Sequence, residues 1–319
     1  MNDHNDLTTG TRLEKFSDPD VTAAGEPRAK VPLRTLETLW FNTGTLCNIQ
    51  CANCYILSSP TNNDLVYLTE AEVVRYLDEI EERSFATREI GFTGGEPFMN
   101  PQMCAMARAS LERGFEVLIL TNAMRPMMRP KVQRELEALI AEFGDRLTLR
   151  VSLDHYTPEK HDEQRGRGTF DVTLEGMRWM RDRGARMSAA GRSLWSEDED
   201  TARAGFAELF RAEGFPIDTN DPGTMVIFPE MDETVEVPEI TTACWGILGK
   251  TPDTVMCSNA RMVVKRKGAE APTVLACTLL AYDRQFEMGT RLADAARPVA
   301  LNHPHCAKFC VLGGARCSA

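Results

Sequence analysis

Two hydrophobic periods alternate along this chain from residue 37 onward. Short apolar runs such as Leu39-Trp40-Phe41, Glu89 to Thr93, Val117 to Leu120, Leu147 to Leu153, Met187 to Ala190 and Met225 to Phe228 read as strands. Between them lie stretches with an apolar residue every three or four positions, which predict helices. The first follows Thr69, where Thr69 and Glu72 form a capping box and Val73, Val74, Leu77 and Ile80 share a face. The next opens at Asn100-Pro101 and stops at Gly114. Three more cover Val132 to Phe143, about Val172 to Arg183, and about Ala202 to Ala212, ending at Gly144, Gly184 and Gly214. Residues 1–36 hold few large apolar residues and no period, which predicts a flexible or loosely docked extension.

Six successive β/α units argue for a parallel sheet with helices outside it. Six are too few for an eight-fold barrel, so the fold class is α/β, a partial (β/α)6 TIM-type barrel over residues 37–230. Such folds place their site at the C-terminal ends of the strands. The pattern changes after residue 230. Met231 to Glu239 reads as an acidic connector. Val255-Met256-Cys257 and Met262-Val263-Val264 look like strand, Lys265 to Gly268 like a turn, and Val274 to Cys277 like the returning strand. Residues 231–319 are thus expected to be a small cysteine-rich C-terminal domain.

The chain has 319 residues, 43% hydrophobic and 26% charged, with a formal net charge of −11. That acidity argues against a general nucleic-acid binder and against an anionic membrane surface. No apolar run approaches the roughly 20 residues that span a bilayer. The polar start, MNDHNDLTTGTRLEKF, is neither a secretory signal nor a transit peptide, so the cytoplasm is the expected location. Ten cysteines in a reducing compartment point to metal binding rather than disulfides.

Three of them, Cys47, Cys51 and Cys54, fall on a short loop beyond the first strand. Three thiolates there can ligate three irons of a cubane cluster and leave the fourth iron open for a cofactor or substrate. Structural zinc is the competing reading, but it wants four ligands and no fourth lies nearby in sequence. Cys104 lies on a helix face with Met103, Ala107 and Leu111 and reads as core. Cys244 is left open.

The CX3CX2C loop after the first strand resembles the signature of the radical S-adenosylmethionine (SAM) superfamily. Thr93-Gly94-Gly95-Glu96-Pro97, after the second strand, resembles that family's GGEP motif. The likeness covers roughly Leu39 to Glu230. It implies that Cys47, Cys51 and Cys54 hold a [4Fe–4S] cluster whose open iron chelates SAM. It implies that Gly94, Gly95 and Glu96 hold the SAM amino group, with Pro97 stiffening the turn. Reductive cleavage of SAM would then give a 5′-deoxyadenosyl radical that takes hydrogen from a substrate. Asn53 stands where many relatives carry an aromatic residue, with Tyr55 just after the third cysteine as a cofactor-binding candidate.

Further cofactor-binding candidates sit at other strand ends. They are Asn122, then Ser152 and Asp154 in a Val-Ser-Leu-Asp-His stretch similar to the family's fourth-strand motif, then Arg165 and Arg192, either of which could pair with the SAM carboxylate. His155 and Tyr156 are candidates for a proton-transfer or wall role where substrate enters. Cys257, Cys277, Cys306, Cys310 and Cys317 resemble the auxiliary-cluster extension called twitch or SPASM, with looser spacings. They imply an auxiliary [4Fe–4S] cluster, and zinc stays open as its alternative. His303 and His305 beside them read as loop residues. The resemblance implies an enzyme of oxidoreductase or maturase type acting on a peptide or small molecule, fed by an electron donor such as flavodoxin or ferredoxin. An extension of 36 residues is short for a leader-binding domain. The competing functions are a non-catalytic iron–sulfur or zinc scaffold and an RNA-modifying enzyme.

Overall fold

The computed structural model describes residues 14–229 and 235–314. In chain order the main elements are β1 (Lys30–Val31), β2 (Thr38–Asn42), α1 (Glu70–Glu82), β3 (Glu89–Thr93), α2 (Met103–Glu112), β4 (Glu116–Thr121), α3 (Pro130–Phe143) and β5 (Leu147–Ser152). Then come α4 (Pro158–Arg165), α5 (Thr169–Asp182), β6 (Arg186–Ser193), α6 (Glu199–Glu213), β7 (Met225–Pro229), α7 (Cys244–Leu248), β8 (Ala260–Val264), β9 (Thr273–Leu275) and β10 (Val299–Ala300). The large sheet runs β7-β6-β5-β4-β3-β2-β8-β9. All its neighbours pair in parallel except β8 with β9. This is the partial α/β barrel the periodicity predicts.

The period-2 alternation within each strand builds two layers. Leu39, Phe41, Val117, Ile119, Leu149 and Val151 face outward into the main core beneath the helices. Trp40, Leu118, Met262 and Val264 face inward and fill a second, smaller core in the lumen. In the outer layer the Phe41 ring lies 5.7 Å from Phe92 and 6.0 Å from Tyr76. Such aromatic pairs add roughly 0.5–1.5 kcal/mol beyond the area they bury.

Helix α1 begins with the expected capping box between Thr69 and Glu72, though Tyr76 rather than Val74 completes its buried face. Helix α3 starts at Pro130, and Gly144 at its end keeps right-handed helical angles and leads into a short 3-10 turn. Helix α4 was not expected. Its sequence, PEKHDEQR, has no apolar stripe, and the only signal for it is Pro158 at the first helical position behind Thr157.

Three expectations are corrected. Residues 14–36 are firmly docked: Ala29, Val31 and Leu36 are buried, β1 pairs with β10, and buried Arg28 bonds Glu239 and the carbonyls of Asp18 and Val21. Met256–Ser258 is a 3-10 turn rather than strand, because the strand begins only at Ala260. The cysteine-bearing hairpin also does not stand apart. Strand β8 lies directly against β2, so the sheet runs on past residue 230, where the sequence suggests a domain boundary. The boundary itself falls outside the described residues.

Candidate functional site

A cavity opens at the C-terminal ends of the parallel strands. Cys47, Cys51 and Cys54 line one side, Gly94 and Gly95 another. Asn122, Ser152, Asp154, Arg165, Arg192 and Tyr55 complete most of the expected set. Residues as far apart in sequence as Cys47 and Arg192 meet here because each ends or follows a parallel strand.

The cysteine loop is tied down on several sides. Cys47 N–H donates to the Ser59 carbonyl (3.1 Å), and Ala52 N–H to the Gln164 carbonyl at the end of α4 (2.8 Å). Asn53 Nδ2 donates to Gln164 Oε1 (2.9 Å), and Arg192 Nη1 to the Asn53 carbonyl (3.2 Å). The Arg192 guanidinium lies 4.3 Å from the Tyr55 ring centre. So the loop residue expected to differ from relatives, Asn53, serves as a tether to α4.

Gly94 and Gly95 run beneath this loop. Gly95 N–H donates to the Gly44 carbonyl (2.7 Å) and Glu96 N–H to the Leu46 carbonyl (3.1 Å). A Cβ on Gly95 would stand 2.2 Å from the Leu46 oxygen, and one on Gly94 2.6 Å from the Gly44 oxygen. Gly94 also has φ +147, open only to glycine at little strain. The two glycines therefore let the motif lock against the backbone that carries Cys47.

Glu96 ties strand ends together behind the cavity wall. Neither it nor Pro97 lines the cavity, and Glu96 is buried. Its carboxylate accepts from Phe98 N–H (3.2 Å), Thr121 Oγ1 (2.9 Å) and Asn122 N–H (2.8 Å), joining the ends of β3 and β4. Burial pushes its pKa up to about 7 in spite of those donors. Asn122, held in place this way, points Nδ2 at Asn48 Oδ1 (2.9 Å) and toward Cys47 Sγ (3.8 Å).

Arg165 Nε and Nη2 both donate to the carboxylate of buried Asp154 at 2.9 Å, in a part-buried two-pronged pair. Burial alone would raise the Asp154 pKa, but the Arg165 charge and hydrogen bonds outweigh it and hold the carboxyl below its usual range. Asp154→Ala is expected to cost roughly 3–5 kcal/mol, because it leaves a part-buried guanidinium without its counter-charge. The pair's contribution is present above the ordinary aspartate pKa and is lost as pH falls through the lower folded value. Denaturant titration against pH checks both points. A loss near 0–1 kcal/mol would class the pair with screened surface bridges.

His155 and Tyr156 do not line the cavity. His155 bonds Glu197 (3.2 Å) and stacks on Tyr156 (4.1 Å), while Tyr156 Oη donates to Glu197 (2.6 Å). They form a clamp against Phe206 and Trp195. Sequence reasoning missed Arg150, which lines the cavity from the inner face of β5 and donates from Nε to Ser188 Oγ (3.1 Å). A lone charge at an inward position of Leu-Thr-Leu-Arg-Val-Ser was the available signal.

Burial pushes the Cys47 thiol up to about 12 and raises Cys51. Thiols of this kind become thiolates when a metal coordinates them. The described cysteines form no disulfides. Three thiols lining one cavity match the three-cysteine ligand set of a cubane.

A second, apolar cavity lies behind the first. Cys257, Cys277, Cys306 and Cys310 all line it, with Val255, Phe286 and Leu301. Burial pushes Cys257 up to about 12 and Cys306 well above its ordinary value. Cys306 and Cys310 sit on a seven-residue π-helix, Cys306–Leu312, where a loop was expected. Thr278 lines both cavities. Cys317 lies outside the described residues. Cys104 is in the main core, as its helix face predicts, and Cys244 packs against it. No described helix is long and apolar enough to cross a membrane.

Known proteins resemble parts of this chain in sequence and in fold. The subtilosin biosynthesis protein AlbA of Bacillus subtilis is 28% identical over 194 residues, 59% of this chain and 40% of AlbA. The mycofactocin maturase MftC of Mycobacterium tuberculosis is 30% identical over 131 residues, 41% of this chain and 31% of MftC. The chain thus spans less than half the length of either. The crystal structure of Streptococcus suis SuiB bound to precursor peptide SuiA superposes with a TM-score of 0.58 at 11% identity, over 85% of this chain and 66% of SuiB, a likeness of fold. The family description Radical SAM superfamily matches residues 41–190, from the end of β2 into β6. Residues 41–190 of this chain are a radical SAM domain.

Proposed function

We propose that this chain is a peptide-modifying radical SAM enzyme with two iron–sulfur sites. The observation that carries the reading is the single cavity onto which Cys47, Cys51, Cys54, Gly94 and Gly95 all open. Cys47, Cys51 and Cys54 would hold a [4Fe–4S] cluster, with SAM beside Gly94, Gly95, Asn122 and Ser152. Cluster and SAM would together supply a 5′-deoxyadenosyl radical that takes a hydrogen atom from the substrate.

The chain's own residues divide the work around that group. Gly94 and Gly95 leave backbone bare on the cavity wall. Arg192 has a buried Nε with no hydrogen-bond partner, a donor left over for the SAM carboxylate. Arg165, whose Nε and Nη2 are taken by Asp154, instead lends its charge beside Cys51. Trp40 lines the floor with an Nε1–H that likewise has no partner.

Cys257, Cys277, Cys306 and Cys310 would hold an auxiliary [4Fe–4S] cluster, with Cys317 as a spare. Four thiols around one apolar cavity supply the full ligand set of such a cluster. A maturase subtype and a peptide substrate rest on the relatives, which include a bacteriocin biosynthesis protein, a maturase and a protein bound to a precursor peptide.

The test is anaerobic incubation of iron-loaded protein with SAM and a strong reductant. Formation of 5′-deoxyadenosine is expected, and its rate is expected to rise with the cognate peptide. Fully loaded protein that forms none would defeat the enzyme reading and leave a binding scaffold.

A further inference from the structure

Two buried arginines flank the four-cysteine cavity, and only one has an anionic side-chain partner. Arg28, whose charge reaches Cys306, is paired with the carboxylate of Glu239. Arg261 on β8 is fully buried and has no such pair among the described residues. Its Nε donates to the Ala295 carbonyl (2.9 Å), and its Nη1 to the carbonyls of Cys257 (2.6 Å) and Ala260 (2.7 Å). Its Nη2 has no hydrogen-bond partner. The ionisable group whose charge acts on it is Cys257.

A buried guanidinium held only by neutral carbonyls is costly, and proteins keep such a charge where an opposite one offsets it. A four-iron cubane on four thiolates is anionic, and reduction adds a further negative charge. We infer that Arg261 is the built-in counter-charge of this second site and raises the reduction potential of the cluster bound there. The inference rests on the auxiliary-cluster reading above. Being positive, Arg261 favours the reduced cluster over the oxidised one. It does so through space, with no ligand bond.

The test uses the full chain carrying Cys47, Cys51 and Cys54→Ala, so that any cluster signal comes from the second site. The midpoint for one-electron reduction by dithionite is followed by electron paramagnetic resonance. Arg261→Met is expected to move the midpoint lower at unchanged iron content. At the parent's midpoint the reduced-to-oxidised ratio should fall about tenfold, the scale of one lost charge close to the cluster. Arg261→Lys, which keeps the charge, should retain most of the parent's ratio. Arg261→Gln, which keeps donors without the charge, should behave as Arg261→Met, and this comparison decides the matter if the Met variant fails to load.

A purely structural arginine predicts another pattern. The metal-free Met variant would then lose stability, whereas an uncompensated buried charge predicts equal or higher stability once it is removed. An unmoved midpoint in iron-loaded Arg261→Gln, or a Lys variant shifted as far as Gln, overturns the inference. If the parent itself binds no iron, or zinc alone, the auxiliary-cluster reading fails, and the inference falls with it for that separate reason.

Discussion

Replacing Cys47, Cys51 and Cys54 together by alanine should lower the anaerobically reconstituted iron from about 8 to about 4 per chain, with sulfide falling in step. It should also abolish 5′-deoxyadenosine formation. The size of the effect follows from where the ligands sit. The three thiols lie on one short loop that has no other cysteine near it, and the remaining cysteines that line a cavity line a different one. The residual iron is then the second site's. About 4 falling to none would instead mean that Cys257, Cys277, Cys306 and Cys310 hold zinc or nothing, and the chemistry would lack a second electron acceptor. Iron unchanged by the triple substitution would remove the first site altogether.

Gly95→Ala should be the most damaging single methyl group in the site. The added Cβ meets the Leu46 carbonyl oxygen at 2.2 Å and the Thr45 oxygen at 2.8 Å. Both are backbone atoms, which cannot rotate aside as a side chain would. The loop carrying Cys47 must move, or the turn after β3 must. Overpacking of this kind costs typically 1–3 kcal/mol and occasionally more. We expect about 3 kcal/mol, a large part of a typical domain stability of 5–15 kcal/mol. The functional effect should exceed the stability effect, because displaced Cys47 and Gly94 belong to the same cavity. Iron retention and SAM-dependent 5′-deoxyadenosine formation should fall by tenfold or more. Gly144→Ala is the matched control. It has helical angles and open space around its Cα, so the change should be neutral or stabilise by about 0.4–1 kcal/mol. Equal behaviour of the two variants in denaturant titration and iron content would show that the close approach at Gly95 has no consequence.

The partners that local pattern does not show share a physical cause. Glu96 follows two close-packed glycines, and its carboxylate accepts from the nearest N–H groups, those of Phe98 and Asn122. Arg165 was placed by its loop position without sight of α4, which has no apolar stripe to reveal it and whose geometry points the side chain at Asp154. His155 follows Asp154 in sequence, but its ring turns away to Glu197. In each case the rival partner is remote in sequence or depends on a turn that local pattern does not encode.

Local pattern by itself determined much of this protein. Period-2 runs marked β2 to β7, capping residues and glycines marked most helices, and the spacing of Cys47, Cys51 and Cys54 with Thr93 to Pro97 marked the site and its chemistry. These signals are short-range, a matter of which face a residue presents and what a backbone can adopt. Only tertiary structure decided the rest. It placed β8 against β2, docked residues 14–36 on the C-terminal segment, and gathered Cys257, Cys277, Cys306 and Cys310 around one cavity beside unpaired Arg261. Those outcomes depend on which distant surfaces exclude water together and where a buried charge finds an opposite one, and neither is written in neighbouring residues.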